Sequence, residues 1–336
     1  MDDGLENIFR NISPPGDKDS DKPVYAVMPV PDFASYFVGK DRQSHACLLI
    51  ATGDSTGRRQ SPIRLESLEA QFEIRCQLKK DTEPAREGVF TVVRCRSPDP
   101  ETVTYFLSIC QIIAHMIGDD PRQSDVASAV HKLAAIFQKM KKPPSRPLNG
   151  LFGELYVISR SGNASRALTS WRLEDTARFD FSDGDVRLDV KVTSGRVRAH
   201  TFSYDQCNPP PGTLAVAASL FVERAPSGIS LQSLVAEIEM KISARAELTL
   251  KLHEVLASTL GTALAESLPV TFDARLAEST LQFFMLDEIP AIREALPAGV
   301  TDVHFRSDLT AIQSVSVQAL IDRDPVFWDL LPRREE

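Results

Sequence analysis

Apolar and polar residues follow two different spacings along the first half of the chain. Between residues 23 and 97, short β-prone runs (VYAVMPV, ACLLIAT, FEIRCQL, VFTVVRCR) alternate with turn residues, a pattern typical of strands. Two helices are predicted next, because Asp99 can cap ETVTYFLSICQIIAHMIG and because DVASAVHKLAAIFQKM has helical apolar spacing. We expect a β-rich N-terminal region plus helices over 23–147, which ends in the proline-rich connector KKPPSRP. A disordered tail is expected over 1–22, which is rich in Asp, Pro, Gly and Ser.

The second half of the chain mixes helical and strand patterns. Residues 148–225 give a helix over GLFGELYVISR, an alternating segment RFDFSDGDVRLDVKVTSG and an apolar strand GTLAVAASLFVE. Residues 226–336 contain two helical patterns followed by the strand-like runs TLQFFML and VTDVHFR. We therefore expect an α/β core over 148–225 and an α+β C-terminal region over 226–336.

The alternating segment predicts a β-hairpin with one apolar and one charged face. Asp183-Gly184 is the dipeptide expected in a two-residue type I′ turn. A hairpin centred there puts Asp180 opposite Arg187, with Asp189 as the diagonal neighbour of Asp180. The apolar residues then share the other face, which makes this register self-consistent.

Two further charged residues complete a candidate site. Lys191 lies two residues beyond Asp189 and therefore shares its face of the strand. Glu154 lies on the apolar stripe of its helix, and a buried ionised carboxylate is unfavourable unless it is paired or bound to a cation. Carboxylates beside a lysine suit a hard cation such as Mg²⁺ and a phosphate substrate. The lysine would position the attacking water or stabilise the transition state.

These residues resemble the core of the PD-(D/E)XK nuclease superfamily. Glu154 matches the acid on the helix, Asp180 matches the first hairpin acid, and Asp189-Val190-Lys191 matches (D/E)-x-Lys. The stretches GLFGEL, W-x(8)-DF, DVKVTS, FSYDQC and FFMLDEIPAIREALPAGVTDVHFR further resemble a bacterial family labelled "PD-(D/E)XK motif protein", from about residue 23 to 325. Two positions depart from the superfamily pattern, since Phe179 replaces the Pro and Asp189 stands where Glu is more usual.

The resemblance implies a restriction-endonuclease-like core, a mixed sheet flanked by helices. It also implies an Mg²⁺- or Mn²⁺-dependent DNA endonuclease that acts as a subunit of an anti-phage defence system. Members of the narrower family are typically encoded beside ATPases, so a companion ATPase is an expected partner. The implied metal ligands are Glu154, Asp180 and Asp189, and the implied catalytic residues also include Lys191 and Gln206. Gln206 is alternatively an exposed amide without a role, and the whole chain is alternatively a catalytically silent scaffold or recognition subunit.

The overall charge limits how such a protein could bind DNA. With 46 acidic and 38 basic side chains, the net charge is -8, which does not favour a free-standing nucleic-acid binder. The candidate contacts to nucleic acid are Arg187, beside the acids, and Arg196, Arg198 and His200 in GRVRAH. Arg187 alternatively balances charge, and His200 alternatively has a structural role. We expect weak DNA binding by the isolated chain.

Other features of the sequence favour a cytoplasmic protein without membrane contact. No apolar run approaches the length of a membrane span, and the acidic N-terminal stretch has no apolar signal region. The five cysteines are scattered, odd in number and never spaced as CxxC, which fits a reducing compartment.

Overall fold

The computed structural model describes residues 4–16, 22–52, 60–80, 83–174, 176–242 and 245–333. These residues form two units by their internal contacts. The first consists of residues up to 141 together with 245–250, and the second consists of the rest.

The first unit is built on six strands in the order β1-β2-β3-β6-β5-β4. The strands are β1 (Val24–Val30), β2 (Phe33–Lys40), β3 (Ala46–Ala51), β4 (Ile63–Arg64), β5 (Leu68–Lys80) and β6 (Glu83–Cys95). Neighbours in this order are antiparallel, and β1 also pairs in parallel with β5, which closes a ring of five strands. Tyr25, Phe37, Leu49 and Phe90 belong to one buried apolar cluster. Ring closure pairs strand edges that an open sheet would leave exposed.

Three helices accompany these strands: α1 (Leu5–Arg10), α2 (Pro100–Ile117) and α3 (Gln123–Lys139). The predicted cap of α2 is confirmed, because the Asp99 side chain accepts a hydrogen bond from the Thr102 backbone N–H at 2.9 Å. Helix α1 corrects the prediction of a disordered tail over 1–22. Leu5 is buried, and apolar residues at helical spacing within LENIF stabilise a helix that the polar composition of the tail conceals. Residues 1–3 and 17–21 of the predicted tail lie outside the described residues.

The second unit contains nine α-helices and eight strands among the described residues. The helices are α4 (Leu148–Arg160), α5 (Ala164–Ser170), α6 (Tyr204–Cys207), α7 (Leu231–Lys241), α8 (Ala246–Leu260, counted here from residue 251), α9 (Leu264–Ser267), α10 (Ala274–Thr280), α11 (Val317–Arg323) and α12 (Val326–Leu330). The strands are β7 (Phe181–Asp183), β8 (Val186–Thr193), β9 (Ala199–Ser203), β10 (Leu214–Phe221), β11 (Arg224–Ser230), β12 (Thr271–Phe272), β13 (Gln282–Met285) and β14 (His304–Asp308).

The main sheet of this unit has the order β13-β10-β8-β7. Strands β8 and β10 are parallel, while β7 and β13 are antiparallel to their neighbours. Strand β9 pairs separately with β14, which puts His304 opposite Ser203. Because β13 and β14 come from the predicted C-terminal region, the described residues of 226–242 and 251–333 belong to the same unit as the predicted core over 148–225, whereas 245–250 belong to the first unit. The described residues therefore form a mixed α/β protein.

The turn between β7 and β8 differs from the prediction. Its two central residues are Gly184 and Asp185 rather than Asp183 and Gly184. A type I′ turn needs a positive φ at both central residues, but only Gly184, at 54°, has one. The predicted type I′ turn is therefore wrong.

The pairing of β7 with β8 is displaced by two residues from the predicted register. Arg187 lies opposite Ser182 instead of Asp180. Because side chains alternate between faces with a period of two, an even displacement leaves every side chain on its predicted face. Extending the observed pairing brings Asp180 opposite Asp189 instead of diagonal to it. The wrong register thus preserved the right grouping of charges.

Two further findings concern membrane spans and cysteines. Within the described ranges, no helix is long and apolar enough to cross a bilayer. All five cysteines are buried and carry free thiols.

Candidate active site

Helix α4 brings Glu154 close to the main sheet. The helix begins after Pro147, and no side chain caps it; Asn149, the residue type in this stretch that commonly caps helices, lies within the first turn. Gly153 packs so closely on the sheet that a Cβ there would lie 2.5 Å from Val192 Cγ1. This close approach accompanies nearly complete burial of the next residue, Glu154, whose exposed fraction is 3%.

Buried donors surround the Glu154 carboxylate on both sides. Trp171 Nε1 donates a hydrogen bond to Oε2 at 2.7 Å, and Arg172 Nε donates to the same oxygen at 3.1 Å. Arg172 Nη2 donates to Oε1 at 3.2 Å. The Arg172 side chain has no exposed surface, so this is a fully desolvated ion pair. Such a pair is strongly destabilised by removing one partner.

Asp180 lies at the start of the hairpin and is held by groups from three segments. Its Oδ2 accepts a hydrogen bond from the Val190 backbone N–H at 2.8 Å, which fixes it against β8. Its Oδ1 accepts a hydrogen bond from Arg146 Nη1 at 3.0 Å and lies 3.6 Å from Arg172 Nε. The backbone N–H of Arg172 also donates a hydrogen bond to the backbone carbonyl of Asp180 at 2.8 Å. This backbone contact joins the segment of Trp171 and Arg172 to the start of the hairpin.

Asp189 lies on β8 between an amide and an ammonium group. Gln206 Nε2 donates a hydrogen bond to Oδ1 at 3.1 Å, and Lys191 Nζ lies 2.8 Å from Oδ2. Oδ2 is buried, and the Lys191 ammonium is the charged group that pairs with it. Lys191 Nζ also lies 5.0 Å from the centre of the Phe202 ring. The Asp189 carboxylate is therefore held by a neutral donor on one oxygen and by a cation on the other.

Gln206 is buried, which removes the alternative of an exposed amide. It belongs to α6, where its backbone N–H and side-chain oxygen form a reciprocal capping box with Ser203. Its Nε2 donates both to Asp189 and to the Arg178 carbonyl, the latter at 2.7 Å. The four hydrogen bonds of this residue therefore join Ser203 at the end of β9, the Arg178 carbonyl and the Asp189 carboxylate.

Burial changes the proton affinity of Glu154 and Asp189. Burial and the Asp180 charge raise the pKa of Glu154 to about 7, against the opposing effects of Arg172, Trp171 and Arg146. Burial likewise raises the pKa of Asp189 to about 6, with Lys191 opposing the rise and Asp180 adding to it. Carboxyl groups with raised pKa values that lie beside a cavity are typical of functional sites.

An open cavity of about 630 Å³ exposes this cluster. Its wall contains Glu154, Asp180, Asp189, Lys191 and Gln206, the five predicted catalytic residues. The wall also includes Arg178, which flanks the acids in the sequence, and hydroxyl and charged groups that the sequence did not single out: Thr176, Thr201, Ser203, Asp205, Asp302, His304 and Arg146. The cavity is large enough for a polar group of a substrate to reach the acids.

A family profile described as "Putative PD-(D/E)XK family member, (DUF4420)" matches residues 5–310. The chain belongs to this family. The resemblance to PD-(D/E)XK proteins that the sequence motifs indicate is thereby confirmed. No curated protein and no solved structure gives a match. The residues that match the DUF4420 profile include the hairpin, α4 and α6, and these elements carry the three acids, Lys191 and Gln206.

The structure does not bring the four candidate nucleic-acid contacts of this DUF4420 protein to the cavity wall. Arg187 folds back on the hairpin turn, where its guanidinium donates to the backbone carbonyls of residues 184 and 186. Arg198 is buried and donates to the backbone and hydroxyl oxygens of Ser219. His200 is also buried, with Nε2 2.8 Å from the Ser219 hydroxyl, and burial is the main cause that lowers its pKa to about 4. Arg196 is exposed on the loop between β8 and β9. Contact of these residues with nucleic acid stays a prediction.

Two arginines of the site were not predicted. Arg172 directly follows the tryptophan of the W-x(8)-DF motif, so the motif itself offered a signal. Arg146 lies in the proline-rich connector before α4, and nothing in its local pattern indicates a site. Both act on acids that are distant in the sequence.

The acids of the DUF4420 site fit a divalent cation in part. Asp180 and Asp189 lie side by side, and Mg²⁺ needs few carboxylates because it keeps several waters. Both oxygens of Glu154 accept hydrogen bonds from the buried donors Trp171 and Arg172. Both oxygens of Asp180 also accept hydrogen bonds, but one of its donors is the partly exposed Arg146, so Asp180 is the more accessible ligand. Across the described ranges, no group of three or more His, Cys, Asp or Glu residues is spaced to hold a metal ion. Asp180 and Asp189 are thus the residues that would hold one.

Proposed function

We propose that this protein is a metal-dependent nuclease with a restriction-endonuclease-like core, which hydrolyses phosphodiester bonds in DNA. The observation that carries the proposal is the Asp189 carboxylate, held by Gln206 on one oxygen and close to Lys191 on the other, at the wall of an open cavity. An acid that merely solvates a strand surface is exposed, whereas Asp189 is buried and paired with a lysine.

The residues of the site divide into three roles. Asp180 and Asp189 would hold Mg²⁺ or Mn²⁺, which makes hydroxide available near neutral pH and neutralises charge on the phosphate. Lys191 directs its ammonium to the same place and would orient the water or bind a phosphate oxygen. Gln206 fixes Asp189, and the pair Glu154–Arg172 fixes the backbone that precedes Asp180.

The charge of the chain supports a role within an assembly. The net charge of -8 gives little counterion release on DNA, so the lone chain would bind DNA weakly. At the cavity wall, Arg178 is half-exposed and lies 3.5 Å from the exposed Asp205, so its guanidinium is accessible to a phosphate. We propose that companion proteins of an anti-phage defence system, including an ATPase, deliver the DNA.

The test is cleavage of plasmid DNA with Mg²⁺ or Mn²⁺, by the protein alone and with the proteins encoded beside it. Asp189→Asn and Lys191→Gln should reduce cleavage to background. Asp185→Asn is the matched control, because Asp185 is an exposed acid on the turn of the same hairpin. This variant should cleave DNA as the parent does. Parent-like cleavage by Asp189→Asn would refute the nuclease assignment.

One observation favours a second candidate, a catalytically silent scaffold or recognition subunit. Arg146 and Arg172 already neutralise the acids, which a protein without a metal requires for stability. This candidate predicts no cleavage with every neighbouring protein present and no binding of Mn²⁺ by calorimetry.

A further inference from the structure

Arg146 contacts the acid cluster where a metal ion would bind. Its Nη1 lies 3.0 Å from Asp180 Oδ1 and 3.8 Å from Glu154 Oε1. Its charge also lowers the pKa of Asp189, although burial outweighs this effect. One guanidinium therefore acts on all three carboxylates.

The formal charges of the cluster balance without a metal. Glu154, Asp180 and Asp189 supply three negative charges, and Arg146, Arg172 and Lys191 supply three positive ones. A divalent cation added to this set leaves two positive charges in excess within a buried cluster, which is unfavourable unless one cation moves away.

The three cations differ in how readily they can move. The Arg172 side chain has no exposed surface and is bound to Glu154 and to Thr259. The Arg146 side chain is 26% exposed at the cavity wall, against 19% for Lys191. Arg146 also bonds an oxygen of Asp180, one of the two acids that would hold a metal, whereas Lys191 contacts the other acid. Arg146 is the cation that a metal would displace.

The backbone around Arg146 is fixed, so the movement is a rotation of the side chain. The Ser145 N–H donates to the Thr259 carbonyl at 3.0 Å, and the Ser145 hydroxyl donates to the Ser258 carbonyl at 3.1 Å. On the other side, Pro147 is the N-cap residue of α4, and its carbonyl accepts hydrogen bonds from the backbone N–H groups of Gly150 and Leu151 at 3.1 and 3.4 Å. A long arginine side chain can leave Asp180 without disturbing either anchor.

We propose that Arg146 is an internal counter-ion, which neutralises the acid cluster in the metal-free protein and is displaced by the divalent cation. This inference rests on the metal site of the proposed function. It assigns the residue that opposes metal binding and that keeps the metal-free site stable.

Calorimetric titration with Mn²⁺ tests the inference without any nuclease assay. Arg146→Gln removes the competing charge and should bind Mn²⁺ more tightly than the parent by about tenfold or more. Arg146→Lys keeps a charge on a shorter side chain and should fall between the two. Arg166→Gln is the matched control, because Arg166 is a partly exposed arginine that bonds two aspartates, Asp183 and Asp329, outside the cluster. It should bind Mn²⁺ as the parent does.

Nuclear magnetic resonance of the parent protein gives a second readout that needs no stable variant. With ¹⁵N-labelled arginine, Mg²⁺ should shift the Nε resonance of Arg146 and leave that of Arg166 unchanged. Equal or weaker Mn²⁺ binding by Arg146→Gln, or an unchanged Arg146 resonance when Mg²⁺ is bound, would overturn the inference. Absence of Mn²⁺ binding in both proteins would also overturn it. Tighter Mn²⁺ binding by Arg146→Gln, with no DNA cleavage by the parent even when every neighbouring protein is present, would support the counter-ion and refute the nuclease, so the two proposals fail separately.

Discussion

Two glycines in α4, three residues apart, should respond oppositely to alanine. At Gly153 a Cβ would lie 2.5 Å from Val192 Cγ1 and 3.1 Å from Val190 Cγ1, both on short, stiff side chains of β8. Overpacking of this kind costs about 1–3 kcal/mol. At Gly150 a Cβ would meet nothing within 4 Å. Both substitutions gain helix propensity, up to about 1 kcal/mol, so their difference isolates the clash.

Calorimetric melting of the full chain measures this difference. For a unit of this size, each kcal/mol shifts the melting temperature by about 2–4 °C, so Gly153→Ala should melt roughly 5 °C below Gly150→Ala. Gly153→Ala should also reduce any activity, because moving α4 away from β8 moves Glu154 away from Asp180. Equal melting temperatures for the two variants would refute the close packing of α4 on the sheet, and with it the placement of Glu154.

Three further predictions concern the buried polar groups. Because the pKa of Glu154 rises from 4.5 to about 7, the folded protein binds a proton that the unfolded chain releases, so this stability is present below pH 4.5 and is lost as pH rises through 7. The parent should therefore lose on the order of 3 kcal/mol relative to Glu154→Gln over that range, and urea midpoints showing a constant difference would contradict the raised pKa. Trp171→Phe removes one hydrogen bond to Glu154 and should lower the free energy of unfolding by about 1–3 kcal/mol, while an unchanged urea midpoint would argue against that bond. Arg198→Gln leaves Ser219 without its buried donor and should cost about 2–4 kcal/mol, with DNA affinity in a filter-binding assay unchanged; reduced affinity in a folded variant would restore Arg198 as a nucleic-acid contact.

Local patterns predicted most of the elements, because these depend on neighbours in the sequence. Asp99 before an apolar helical run specified the start of α2, and the run VYAVMPV coincides with β1. Strand β2 was not predicted, and α1 was assigned to a disordered tail. In each case composition or a neighbouring turn outweighed a short apolar pattern.

The hairpin shows how a sequence can predict a site despite an incorrect register. The turn prediction was one residue early, and the strand pairing was displaced by two. The alternation of apolar and charged residues nevertheless kept Asp180, Asp189 and Lys191 on one face, because that alternation has the same period as the strand. The sequence alone therefore determined that these two carboxylates and the lysine share one face of the hairpin.

Only the tertiary structure decided which cations neutralise those acids. Arg172 reaches Glu154 from the end of α5, and Arg146 reaches Asp180 from the segment before α4, neither through a periodic pattern. The sequence predicted Arg187, Arg198 and His200 as contacts because they lie near the acids along the chain, but their side chains turn to carbonyl and hydroxyl groups elsewhere. Periodicity determines the face on which a side chain lies, whereas charge pairing acts through space between segments that only the folded chain brings together.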